Sequence, residues 1–225
     1  LREPGLDAAK AGYLQFAIID RYQQLVTDFA YWRVLKAAEA NPAWRKNRAW
    51  FKADRLRREG LILHTLGELS HYVADGAQPL HASVHFNGWG DYPNPQGFTQ
   101  ARIHGPFEED VVKAGVDPAA VAAKVAPFRS CGCAIEQRVV DYLMGSMRLT
   151  VPLYELEKAG GLKPGDPRGA ALASERIAVG ASELRDLVVE AWADSAKHKV
   201  GWRPVAVQDV LAGKVDPYPA LYGLD

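Results

Sequence analysis

Apolar side chains recur every three or four residues over three long stretches, and no stretch of useful length alternates apolar with polar. The first stretch carries Leu14, Ile18, Tyr22, Leu25, Phe29, Trp32 and Leu35. That spacing puts them on one face of a helix. The helix is expected from about Ala8, capped by Asp7 after an entry segment 1–7, to Ala40. Asn41-Pro42 stops it, because the residue before a proline is pushed out of the helical region. A second helix is expected over about 53–75, carrying Leu61, Ile62, Leu66, Leu69 and Val73, with Gly76 as its stop. Ile135, Val139, Tyr142, Leu143, Met147 and Val151 mark helix over 131–158, bent or broken at Pro152. A last helix over 172–197 would carry Ile177, Ala181, Leu184, Val188, Ala191 and Trp192 on one side. Shorter helices are expected from His104-Gly105-Pro106 to about Val112 and from Asp117-Pro118 to Val125. The tail 201–225, rich in proline and aromatics, is expected to wrap the surface. The fold class is all-α, a single-domain helical bundle over residues 1–225.

A chain of 225 residues that is 48% apolar can bury a sizeable core, and no Ser/Gly-rich linker or long charge run divides it. Its formal net charge is zero, so no global field draws it to nucleic acid or an anionic membrane. Segment 43–58 does interleave cations with Trp44 and Trp50. Such a pattern can hold a phosphate backbone or lipid headgroups; the preferred reading is a solvated face whose tryptophans pack inward. No apolar run approaches the ~20 residues of a membrane span. No signal peptide is visible and Leu1 is not a natural initiator, so the expectation is a processed or partial product. Cys131-Gly-Cys133 reads first as two thiols at a helix start, second as a strained disulfide in an exported protein, and least as zinc ligands.

The chemistry concentrates between His71 and Glu108. Four of the six histidines, His71, His81, His85 and His104, fall there, and Asp75 and Glu108 each follow a histidine by four residues. On a helix such pairs share a face, and imidazole with carboxylate is a ligand set that zinc accepts. The segment therefore reads as a zinc site. His64, Glu68, His71 and Asp75 form a polar stripe on an otherwise apolar helix. His64 is read as a core or second-layer histidine and Glu68 as a group that orients one. Gln78-Pro79 turns the chain so that His81 can swing back. Residues 87–98, dense in glycine, proline and aromatics, suit an ordered loop walling a pocket. There Asn87, Trp89, Tyr92 and Phe98 are candidate substrate contacts, or else pack the loop down, and His85 is a further supporting histidine.

His71-x-x-x-Asp75-x-x-Gln78-Pro79-Leu80-His81 followed by His104-x-x-x-Glu108 resembles the zinc-dependent phospholipase C and single-strand-specific nuclease superfamily. The likeness is tightest over about forty residues and looser from Ser174 through Trp192. It implies a mostly helical hydrolase of phosphate esters with up to three zinc ions. By position, His81, His104 and Glu108 would hold one zinc, His71 and Asp75 would contribute to a second, and Asp75 would bridge towards a third. Glutamate at 108 and Tyr92-Pro-Asn-Pro-Gln-Gly-Phe98 look like the phospholipase branch; the long gap from His81 to His104 is closer to the nucleases. The family completes its cluster, and supplies its general base, from an amino-terminal segment. This chain has no histidine before His64, so either an upstream segment exists or the site is partial, and no catalytic base is assigned.

The leading expectation is thus a zinc-dependent phosphodiester hydrolase acting on a phospholipid. Zinc polarises a phosphoryl oxygen and lowers the pKa of bound water towards ~7. The alternatives are a single-strand-specific nuclease and a fold relative with an incomplete metal site that binds or scaffolds. A secreted or periplasmic location follows from the resemblance alone.

Overall fold

Helix follows helix along a computed structural model that describes residues 12–223. The entry segment 1–7, the Asp7 cap and the expected helix start at Ala8 lie outside the described residues. In order come α1 (Leu14–Ala40), a 3₁₀ turn (Pro42–Asn47), α2 (Arg48–Ala77), a 3₁₀ turn (Pro79–Ala82) and a π turn (Pro106–Val111). They are followed by α3 (Val112–Gly115), α4 (Pro118–Lys124), α5 (Ile135–Met147), α6 (Thr150–Lys158) and α7 (Pro167–Ser195). The chain ends with β1 (Lys199–Val200), β2 (Val205–Ala206), α8 (Val207–Leu211) and α9 (Tyr218–Tyr222). The class is all-α. No helix among the described residues is long and apolar enough to cross a membrane.

The chain divides into two compact units. The first comprises residues up to Ile19 with His71–Arg185, the second Asp20–Ser70 with Asp186–Asp225. The first has its core around Leu80, Trp89, Phe98, Phe107, Leu153 and Tyr154. In the second, Val34, Leu35 and Phe51 pack with Val200, Val207 and Val210. The tail expected to wrap the surface therefore supplies core. The reason is the short hairpin, in which Lys199 pairs with Ala206 and Val200 with Val205, turning the valines inward.

Several helix limits and faces differ from expectation. Gly76 does not stop α2 but lies inside it, where a Cβ would come within 2.7 Å of the Tyr142 ring; the glycine permits close packing. Between α5 and α6 the break falls at Arg148–Leu149. Pro152 sits in the first turn of α6, where its missing N–H has no intrahelical acceptor to lose. α7 starts five residues early and buries its small side chains, Ala170, Ala173, Ser174 and Ala178, while Ile177 is 42% and Trp192 39% exposed. Small residues win that face because they let backbones approach: a Cβ on Gly180 would lie 3.2 Å from the Ala77 methyl. Of the two tryptophans in the basic segment, Trp44 is buried as expected and Trp50 is exposed. Cys131 and Cys133 are not two thiols but a disulfide, because Gly132 at φ 63° folds the chain back and leaves the Cα atoms 5.1 Å apart.

The buried end of α2 matters most for the site. A helix leaves its last four carbonyls without intrahelical donors, and here no C-terminal glycine supplies the missing cap. Side chains of α5 and α7 do so instead. Ser146 Oγ donates to the Gly76 carbonyl (2.6 Å) and Arg176 Nε to that of Ala77 (2.8 Å), while Arg176 Nη2 donates to Ser146 Oγ (2.9 Å); just before these four carbonyls, Tyr142 Oη adds a bond to that of Val73 (2.6 Å). Burial pushes the Tyr142 phenol up and the Arg176 guanidinium down from their ordinary values, so both groups are held there against a desolvation cost. Arg176→Met keeps the bulk and removes the donors. It is expected to lower stability by about 1–3 kcal/mol, read as a lower denaturation midpoint at unchanged m-value.

Candidate metal centre

Beyond Ala77 the chain cannot continue as helix, since Pro79 follows and excludes the helical conformation at Gln78. Gln78 becomes the N-cap of the next 3₁₀ turn, its side-chain oxygen accepting the Leu80 N–H. That single turn carries His81 back past the last turn of α2, so that His81 Nε2 stands 3.8 Å from Asp75 Oδ1. The other Asp75 oxygen is 3.4 Å from His71 Nε2, one turn earlier on the same helix. The carboxylate of Asp75 thus lies between two imidazoles.

Glu108 arrives on the π turn and His104 two residues ahead of it. Pro106 has no N–H to donate, and the ladder there closes one residue further along than in an α-helix. The wider turn brings residues four apart closer to eclipse, and His104 Nε2 lies 3.1 Å from Glu108 Oε1. His81 Nε2 meets the same oxygen at 3.0 Å, with the two imidazole rings at right angles and 4.6 Å between centroids. Gln78 Nε2 donates to that oxygen as well, at 3.1 Å. His81, His104 and Glu108 form a group that can hold a metal ion, each offering one ligand atom within 4.8 Å of the others.

The donor set fits a divalent cation on chemical grounds. His104 Nδ1 sits 2.9 Å from the carbonyl of Phe86, which fixes the proton on that nitrogen. A neutral His104 therefore presents a lone pair to a carboxylate oxygen only 3.1 Å away. Two facing lone pairs repel unless a proton or a cation lies between them. Ligand atoms roughly 2.0–2.1 Å from a tetrahedral ion stand about 3.3 Å apart, close to both imidazole–carboxylate separations. Asn87 holds the backbone of the same histidine, accepting the His104 N–H at 3.2 Å.

A pocket of about 710 Å³ opens beside the two histidines. Phe86 and Val84 from the loop, Leu143, Met144 and Met147 from α5, and Leu14 from α1 line it, making its wall largely apolar. The loop aromatics are used differently. Trp89 and Phe98 are 7% and 4% exposed and pack on Tyr154 at 5.2 and 5.6 Å between centroids. They pack the loop down and do not wall the pocket, which is the second of the two readings open for them. Tyr92 is exposed and meets the edge of His85. His85 stacks on Trp89 at 3.7 Å with Nδ1 on the Trp89 carbonyl, so its ring braces the loop. Glu68 pairs with Arg21 at 2.7 Å, and the exposed His64 lies 4.0 Å from its other oxygen. These belong to the second unit.

The sequence left four contributors unread. Gln78 was a turn residue there, yet its amide also reaches Glu108. Phe86 acts through a backbone carbonyl, which no side-chain pattern announces. Met144 and Met147 sit three apart on α5 and are 37% and 41% exposed, an apolar pair on an outer face that only a neighbouring pocket explains. The chain matches no protein-family model, no curated protein and no solved structure.

Groups that orient metal ligands carry much of a site's affinity. Gln78→Ala is accordingly expected to weaken metal binding by about 10–100-fold, measured by titrating the metal-free protein with zinc or cobalt. Glu109→Gln, one residue beyond Glu108 and paired with Lys113 on the surface, should leave the affinity unchanged.

Proposed function

We propose that the protein is a zinc-dependent phosphodiester hydrolase of the phospholipase C type, acting on phospholipid-like esters. The observation that carries the reading is the convergence of His81, His104 and Glu108 at the edge of an apolar pocket. A bound divalent metal supplies charge stabilisation at phosphorus and an acidified water. The protein's own residues divide the remaining work. Asp75 holds a negative charge between His71 and His81, Gln78 and the Phe86 carbonyl orient Glu108 and His104, and Leu143, Met144 and Met147 exclude water from one side.

Apolar walls favour a lipid over a nucleic acid, whose backbone needs cations to track it. The basic segment is a poor substitute for such a track. Arg55 is engaged by Glu39 and Glu59, each at 2.6 Å, and Arg58 lies 3.6 Å from the buried Asp28. The Cys131–Cys133 disulfide supports a location outside a reducing cytosol, in keeping with a secreted or periplasmic enzyme.

Release of phosphocholine from phosphatidylcholine should be abolished by chelator and restored by zinc, and should exceed turnover of single-stranded DNA. The His81→Ala/His104→Ala double variant is expected to lose about a thousandfold or more in kcat/KM, several kcal/mol of transition-state stabilisation; activity retained in that variant would falsify the reading. Met144→Asp sets a charge in the apolar wall. It is expected to raise KM for the long-chain lipid about tenfold while sparing a short water-soluble phosphodiester, as steady-state kinetics on both substrates would show.

A further inference from the structure

A second pocket, of about 400 Å³, is built wholly from the second unit and owes nothing to the metal ligands. Phe29 and Trp32 of α1, Glu59, Ile62 and Leu63 of α2, and Trp192 of α7 line it. The spacings explain the grouping, since residues three or four apart share a helix face. Trp192 meets Phe29 edge-on (5.2 Å, 86°) and Trp32 at a tilt (5.8 Å, 57°). Rings set at such angles bound a recess, whereas stacked rings would fill it.

The charge in the lining itself is negative. Glu59 is the one charged side chain in the lining. Its Oε1 accepts the Trp32 indole N–H at 3.0 Å and so fixes the ring. Arg55 pairs with Glu59 but is shared with Glu39, and Lys36 acts on both carboxylates from nearby, so the charge offered to the recess is that of Glu59 in its lining. The hydrogen bonds from Arg55 and Trp32 hold both carboxyls below their ordinary range, so they remain ionised. Trp192 already takes part in a cation–π contact, with the Arg33 guanidinium carbon 3.5 Å from its ring centroid.

We propose that this recess binds a quaternary ammonium group. The negative faces of aromatic rings attract cations, and best those that carry little water. A primary ammonium is strongly hydrated and needs several acceptors, of which the recess offers one carboxylate. A methylated cation instead presents apolar surface that Ile62 and the 71%-exposed Leu63 can cover. The proposal does not rest on the hydrolase reading. It covers a free choline-like solute and the headgroup of a choline lipid, which share this chemistry.

The test is titration of the whole protein with tetramethylammonium, followed by the NMR resonance of the Trp32 indole N–H, with 3,3-dimethylbutanol as the uncharged shape mimic. Saturable displacement of that resonance by the cation, with the alcohol several-fold weaker, is expected. Glu59→Gln keeps an acceptor for Trp32 and removes the charge; it should weaken binding about three- to thirtyfold. Co-sedimentation with phosphatidylcholine but not phosphatidylglycerol vesicles, lost in Glu59→Gln, assigns the ligand to lipid. Binding of the soluble cation without such sedimentation assigns it to a solute. A resonance unmoved at tens of millimolar cation, or an alcohol that binds as well as the cation, overturns the proposal.

Discussion

Hydrogen bonds to the carbonyls at the end of α2 are the contacts on which the rest of the first unit depends. A buried carbonyl left unpaired costs about 1–3 kcal/mol, and a helix end has four of them. Ser146 and Arg176 satisfy those of Gly76 and Ala77 from two other helices, and Tyr142 adds a bond to the Val73 carbonyl just before them. With the end fixed, the direction in which Gln78 leaves the helix is fixed as well. The position of His81 relative to Asp75 follows from it. Small residues make this possible: Gly76 and Gly180 let α5 and α7 come close enough for short donors to reach the backbone.

The candidate metal centre combines two environments that rarely coincide on a bare surface. On one side stand three nitrogens around one carboxylate oxygen, from His81, His104 and Gln78. On the other is an apolar pocket wall supplied mainly by α5 and Phe86. Apolar walls lower the local dielectric and so strengthen charge interactions among these side chains. Phe86 joins the two environments, its carbonyl bonding His104 while its ring lines the pocket.

Much of this was legible in the sequence, unevenly. The spacing of Leu14 through Leu35 specified a long helix, and Asn41-Pro42 its stop. The ligands His81, His104 and Glu108 could be picked out because the residue types and the four-residue spacing both point to metal chemistry. Faces were harder to read. On α7 the large apolar residues Ile177 and Trp192 are partly exposed, while alanines and a serine are buried, because close packing selects for size as well as hydrophobicity. Loop aromatics stayed undecided between two readings for a different reason: Trp89 and Phe98 fill the loop's own core, and a ring at a loop position carries no sign of which way it faces.

What the sequence by itself determined was the helical class, the punctuation of the helices by proline, and the identity of the metal-ligand candidates. Each depends on local conformation or on the chemistry of single side chains. Tertiary structure alone decided that Glu108 shares one oxygen among His81, His104 and Gln78, that Arg176 ends a helix 99 residues away in the chain, and that methionines of α5 wall the pocket. These depend on distances between segments far apart in sequence, which packing sets and no local pattern encodes.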